Sequence, residues 1–172
     1  MSKRIGKALF AVAACALVVL STGWNAGAHS GRQHEIVGTW AVTVQLVSCN
    51  ATPLPSIPPP FKSLLTFNDG ETMIEDTTNP SFAAGQRGTG HGVWEYAGWH
   101  SYAVKSVAFI NFSTTPPAPA PPLTAGTQTI TQTIDFDNGP DKWTATAQIQ
   151  FADASGTVYR SGCATATAVR FE

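Results

Sequence analysis

From Ile36 onward, apolar and polar residues alternate with a period of two, and no stretch holds a helical spacing for long. The pattern is clearest at 127–136, where Gln128, Ile130, Gln132, Ile134 and Phe136 share one face and Thr127, Thr129, Thr131 and Thr133 the other. Such alternation marks strands with one face buried. Gly, Pro, Asn and Asp cluster at the breaks, so the chain divides into eight strands, expected at 37–48, 61–67, 71–75, 91–96, 99–112, 127–136, 143–151 and 157–171. The expected fold class is all-β.

The faces differ in side-chain size. The first strand turns Trp40, Val42, Val44 and Leu46 to one side, and the seventh turns Trp143, Ala145, Ala147, Ile149 and Phe151 inward by the same alternation. The last strand offers only Ala164, Ala166 and Ala168, which leaves space beside it for a small ligand or for large neighbours such as Phe61, Phe67 and Trp143. Loop lengths add a second regularity. The first, third and fifth connections are long, while the second and fourth are tight turns and the sixth is short. In an up-and-down arrangement the three long connections gather at one end, giving a cup with a decorated mouth and a tight base. Two of them are proline-rich, Pro53 to Pro60 and Thr114 to Pro122, and cannot donate to a ladder.

The amino terminus reads differently. Lys3, Arg4 and Lys7 precede an apolar run from Ala8 to Leu20, followed by the small residues Ala26-Gly27-Ala28, so 1–28 is expected to be an export signal and 29–172 a single domain, secreted or periplasmic. Val12-Ala13-Ala14-Cys15 is also a short match to a lipoprotein cleavage box, but the apolar run continues past Cys15. A run of 13 residues is too short to span a bilayer comfortably, and no membrane span is expected. Removing the signal leaves 144 residues with 7 basic and 11 acidic side chains, a net charge of −4, so no nucleic acid partner is expected. Of three cysteines, Cys49 and Cys163 remain, and in an exported chain a pair is expected to form a disulfide.

Facing residue numbers in an antiparallel pair add to a constant. If the first and last strands are neighbours, Trp40 with Arg170 gives 210 and Cys49 with Cys163 gives 212, one register to within two residues. Parity places the disulfide on the face opposite to Trp40 and Arg170. With Gly38-x-Trp40 on the first strand, Arg170 on the last and a large first loop, the chain resembles the lipocalins and their calycin relatives, particularly bacterial lipocalin-like domains. That resemblance implies an eight-stranded antiparallel up-and-down β-barrel. It also implies structural roles for Gly38, Trp40 and Arg170, with Trp40 inside the base and Arg170 across its ring, and a small hydrophobic molecule as partner. Two features depart from the family: Asp135-Phe136-Asp137-Asn138 replaces its usual Thr-Asp-Tyr-type motif, and no helical segment follows the last strand.

The richest chemistry lies at 90–102. With a two-residue turn at Ala97-Gly98, Glu95 faces His100, and His91, Glu95, His100 and Tyr102 share a face opposite to Trp94, Tyr96, Trp99 and Ser101. Turned inward, the first set is a lumenal cluster for a ligand's polar group, a metal or a proton in transfer. Turned outward, it is a surface Glu95–His100 pair over an aromatic core, and a bulge near Ser101 would exchange the two faces. Gln128 and Gln132, if buried, need partners from protein, water or ligand. No motif for covalent catalysis, no diagnostic metal spacing and no cofactor signature appears in the sequence, so no catalytic residue, metal or cofactor is assigned. Three functions stay open. The first is a barrel binding a small, mainly apolar molecule. The second is a calycin- or dirigent-like isomerase or cyclase using His91, Glu95 and His100. The third is a filled barrel acting through its proline-rich rim as a protein-binding module or inhibitor.

Overall fold

A strand with one apolar face needs a neighbour along each edge, or its backbone N–H and C=O groups stay unpaired. The computed structural model meets that need by closure. It describes residues 34–50, 59–115, 122–136 and 139–171; the expected export signal and most of both proline-rich segments lie outside these. The strands are β1 (Gly38–Val47), β2 (Phe61–Phe67), β3 (Thr72–Thr77), β4 (Gly90–Gly98), β5 (Ser101–Ile110), β6 (Gly126–Asp135), β7 (Lys142–Asp153) and β8 (Val158–Arg170). Each pairs antiparallel with the next, and β8 returns to β1, giving a closed up-and-down barrel. Among the described residues there is no helix.

The seam between β1 and β8 follows the expected register: Trp40 faces Arg170 and Val47 faces Cys163. Cys49 lies two residues beyond that last pair, which accounts for the two-residue offset, and it is joined to Cys163 with a Cα–Cα separation of 5.1 Å. The barrel is strongly staggered. Stepping between facing residues from Gly38 through Phe67, Met73, Gly92, Ser106, Ile130 and Ile149 leads to Gly162, beside the Val47–Cys163 pair. A path that leaves the first residue of β1 therefore returns at its far end, so the strands tilt steeply to the barrel axis.

The base is closed by the chain entering β1. Ile36 is fully buried, and the Trp40 indole N–H donates to its carbonyl at 2.8 Å. The Arg170 guanidinium lies 4.3 Å from the centre of the Trp40 ring. It donates to the carbonyls of Glu35 and Val37 and to the Asp141 carboxylate, so one side chain ties the entry segment, the approach to β7 and the end of β8 together. Gly38 makes that possible: a Cβ there would stand 2.8 Å from the Arg170 guanidinium, on a backbone with φ of +129°.

One hairpin departs from expectation. The β4–β5 turn is formed by Trp99 and His100, with φ of 53° and 63°, instead of Ala97-Gly98. Gly98 is absorbed into β4 at a register shift, so Tyr96 faces Tyr102 and Glu95 faces Ala103. The parity of β5 against β4 is thereby reversed, which exchanges the two faces.

Candidate functional site in the barrel lumen

The lumen has two halves. Around Trp40 the inward side chains are nearly all large: Phe136 lies edge-on at 5.4 Å, Trp143 at 5.9 Å, and Tyr102 packs against Trp94, Tyr96 and Phe136. Phe67, Met73 and Ile134 fill the gaps. Burial pushes the Tyr102 phenol up to about 12, with the nearby Glu35 carboxylate adding to the shift. The Trp143 indole N–H is buried without a partner among the described residues. This half is a packed core.

Toward the long loops the composition changes. Glu75, an inward residue of β3, is only 6% exposed, and a carboxylate there needs a cation. The cation is Arg87, supplied by the connection between β3 and β4 folding into the barrel mouth. Its guanidinium donates to Glu75 at 2.9 Å, to the side-chain oxygen of Gln128, and to the Gly88 carbonyl. The Ser106 hydroxyl donates to the other Glu75 oxygen at 3.1 Å. Gly90 leaves room for the pair, since a Cβ at that position would stand 3.1 Å from the Glu75 carboxylate. The loop is pinned by Gln86, which is fully buried: it accepts from the Ala83 N–H and donates to the Phe112 carbonyl and the Thr114 hydroxyl. Phe82 of the same loop lies against Phe151 and under the Arg87 guanidinium.

Between this loop and the small side chains of β7 and β8 lies a cavity of about 50 Å³. Its apolar wall includes Val42, Val44, Phe82, Ile130, Ile149, Ala147, Ala164 and Ala166, and its polar side is Ser63, Glu75, Thr77, Asn79, Arg87, Gln128 and Gln132. The space the sequence placed beside the alanines of the last strand is here. No protein-family model and no curated protein matches this chain. What the lumen can do therefore follows from its own chemistry.

Of the six residues singled out as ligand contacts, only Gln128 and Gln132 line the cavity. His91 and Glu95 lie exposed on the outer wall, facing Val107 and Ala103 across the strand pair. His100 sits at the basal turn, where its ring pairs with Glu35 at 2.9 Å instead of with Glu95. Tyr102 belongs to the basal core. The expected lumenal cluster of His91, Glu95, His100 and Tyr102 is therefore not assembled, because the Trp99-His100 turn moves β5 against β4. Sequence reading missed Glu75, Ser106 and Arg87. Period two from Met73 could have placed Glu75 inward, but Arg87 stands in a loop with no period to read. Among the described residues, no group of three or more His, Cys, Asp and Glu side chains gathers as a metal site would require.

Proposed function

We propose that this is an exported, lipocalin-like barrel that binds a small molecule with an apolar body in the mouth half of its lumen. The observation that carries the proposal is the apolar-walled cavity between the alanines of β7 and β8 and the loop bearing Phe82 and Arg87. A barrel of eight strands has an interior that side chains fill unless small residues leave room. Here Ala147, Ala164 and Ala166 leave that room on one side of the barrel, opposite an ion pair whose hydrogen bonds are made within the protein. The disulfide fits an oxidising compartment. Pockets for drug-sized ligands run to about 300 Å³ or more. The cavity therefore suits a much smaller molecule, or one end of a longer one.

A second reading, binding of another protein through the rim, draws on the small volume of the cavity, about 50 Å³, with the large side chains Phe82 and Arg87 among those lining it. The isomerase or cyclase reading loses its acid–base set, because His91 and Glu95 stand on the outer wall and His100 at the base. Native mass spectrometry of protein purified from an exporting host tests the proposal. A mass excess that is retained in gentle conditions and lost on unfolding is expected. A bare chain mass that no apolar small molecule increases would overturn it.

A further inference from the structure

Gln132 is 9% exposed, lines the cavity, and its side-chain amide has no hydrogen-bond partner among the described residues. Its neighbours across the strand pairs are Val104 and Ala147, and beyond Ala147 stands Ala164, none of which has a polar side chain. Among the described residues Trp143 Nε1 is the buried side-chain N or O without a partner, so the Gln132 carboxamide is not sealed off: it opens to the cavity, where water or the polar head of a ligand can match it. Gln128, the other amide on this face, has its oxygen occupied by Arg87. The two charges lining the cavity, Glu75 and Arg87, already neutralise each other at 2.9 Å, and three Arg87 N–H groups donate to Glu75, Gln128 and Gly88. An incoming ion would find no counter-charge free to meet it, and burying an unpaired charge is strongly unfavourable. A neutral head that both donates and accepts meets no such obstacle.

Resting on the small-molecule reading above, we propose that the lumen takes a neutral ligand with a hydrogen-bonding head of the amide or alcohol class, and that Gln132 reads that head. Size follows from volume. A water molecule needs roughly 10–15 Å³ of such space, so a cavity of about 50 Å³ admits about three to five heavy atoms in all: the head and the first carbons of a short chain.

The test is a titration of the ¹⁵N-labelled, disulfide-bonded protein at pH 7 with four matched probes: butanamide, 1-butanol, butyrate and butylammonium. Butanamide and 1-butanol are expected to shift the Gln132 side-chain NH₂ resonances and to saturate, with the two ions binding about tenfold more weakly or worse. Gln132→Leu should weaken butanamide about tenfold, whereas Gln132→Glu should turn the preference toward butylammonium. If either variant fails to fold, the four probes on the unaltered protein still decide. Butyrate or butylammonium binding in the lumen as tightly as the neutral pair would overturn the ligand class and leave small-molecule binding standing. Neutral probes that bind in the lumen without moving Gln132 would overturn its role. Binding of none of the four would contradict both the ligand class and the small-molecule reading beneath it.

Discussion

Tyr102 is fully buried among Trp94, Tyr96 and Phe136, and its pKa is raised from 10.0 to about 12. Because the folded value lies above the unfolded one, the stabilisation is complete below pH 10. It is lost between pH 10 and 12, where the unfolded chain releases the proton and the folded chain keeps it. The expected loss is roughly 1–2 kcal/mol, read as a falling urea midpoint across that interval and absent in Tyr102→Phe. An equally steep fall in Tyr102→Phe would assign the effect to other groups. The Glu75–Arg87 pair makes a prediction of its own. Replacing either partner by Met leaves the other charge buried and should cost about 3 kcal/mol, while the double replacement should cost clearly less than the two together. Additive losses in a denaturant cycle would show that the two charges are not energetically linked. At this scale the sequence was legible where a period existed: Gln128 and Gln132 follow from the alternation of β6. Arg87 does not, since a loop residue acquires its position from the path of the chain over the mouth.

The β4–β5 hairpin shows how a single element governs the meaning of many residues. By composition Ala97-Gly98 is the natural turn, because glycine tolerates the positive φ such turns need. The chain instead uses Gly98, at φ of 93°, for a register shift inside the pair, and turns at Trp99 and His100. That moves His91 and Glu95 to the outer wall and Trp94 into the core. The local turn preference was outweighed by the burial of Trp94 with Tyr102, a long-range demand that a local dipeptide does not register. Trp99 is 96% exposed and holds a left-handed backbone that an aromatic residue seldom adopts. Trp99→Gly is therefore expected to raise stability by about 1 kcal/mol, seen as a higher melting temperature. A lower melting temperature would mean that the indole makes a stabilising contact that outweighs the strain of its backbone.

For the molecule as a whole, closure was legible because it is a constraint on numbers: Trp40 with Arg170 and Cys49 with Cys163 had to share one register if β1 and β8 were neighbours, and they do. The two halves of the lumen were only partly legible. The alanines of β8 announced space, but its partial filling by Phe82 and Arg87 depends on a loop that alternation does not describe. The disulfide links residues 114 apart in sequence and should contribute roughly 4 kcal/mol by restricting the unfolded chain. Cys49→Ser, Cys163→Ser and the double variant are expected to lose the same amount in urea unfolding, and additive losses would contradict the pairing. The central claim is that binding occurs in the mouth half of the lumen and not on the rim. It is tested most directly by chemical-shift mapping of the labelled protein in a small-molecule extract of its native host. Shifts gathered at Ser63, Ile130, Gln132, Ala147 and Ala166 are predicted. Shifts confined to the rim and outer wall, or no shifts at all, would contradict it.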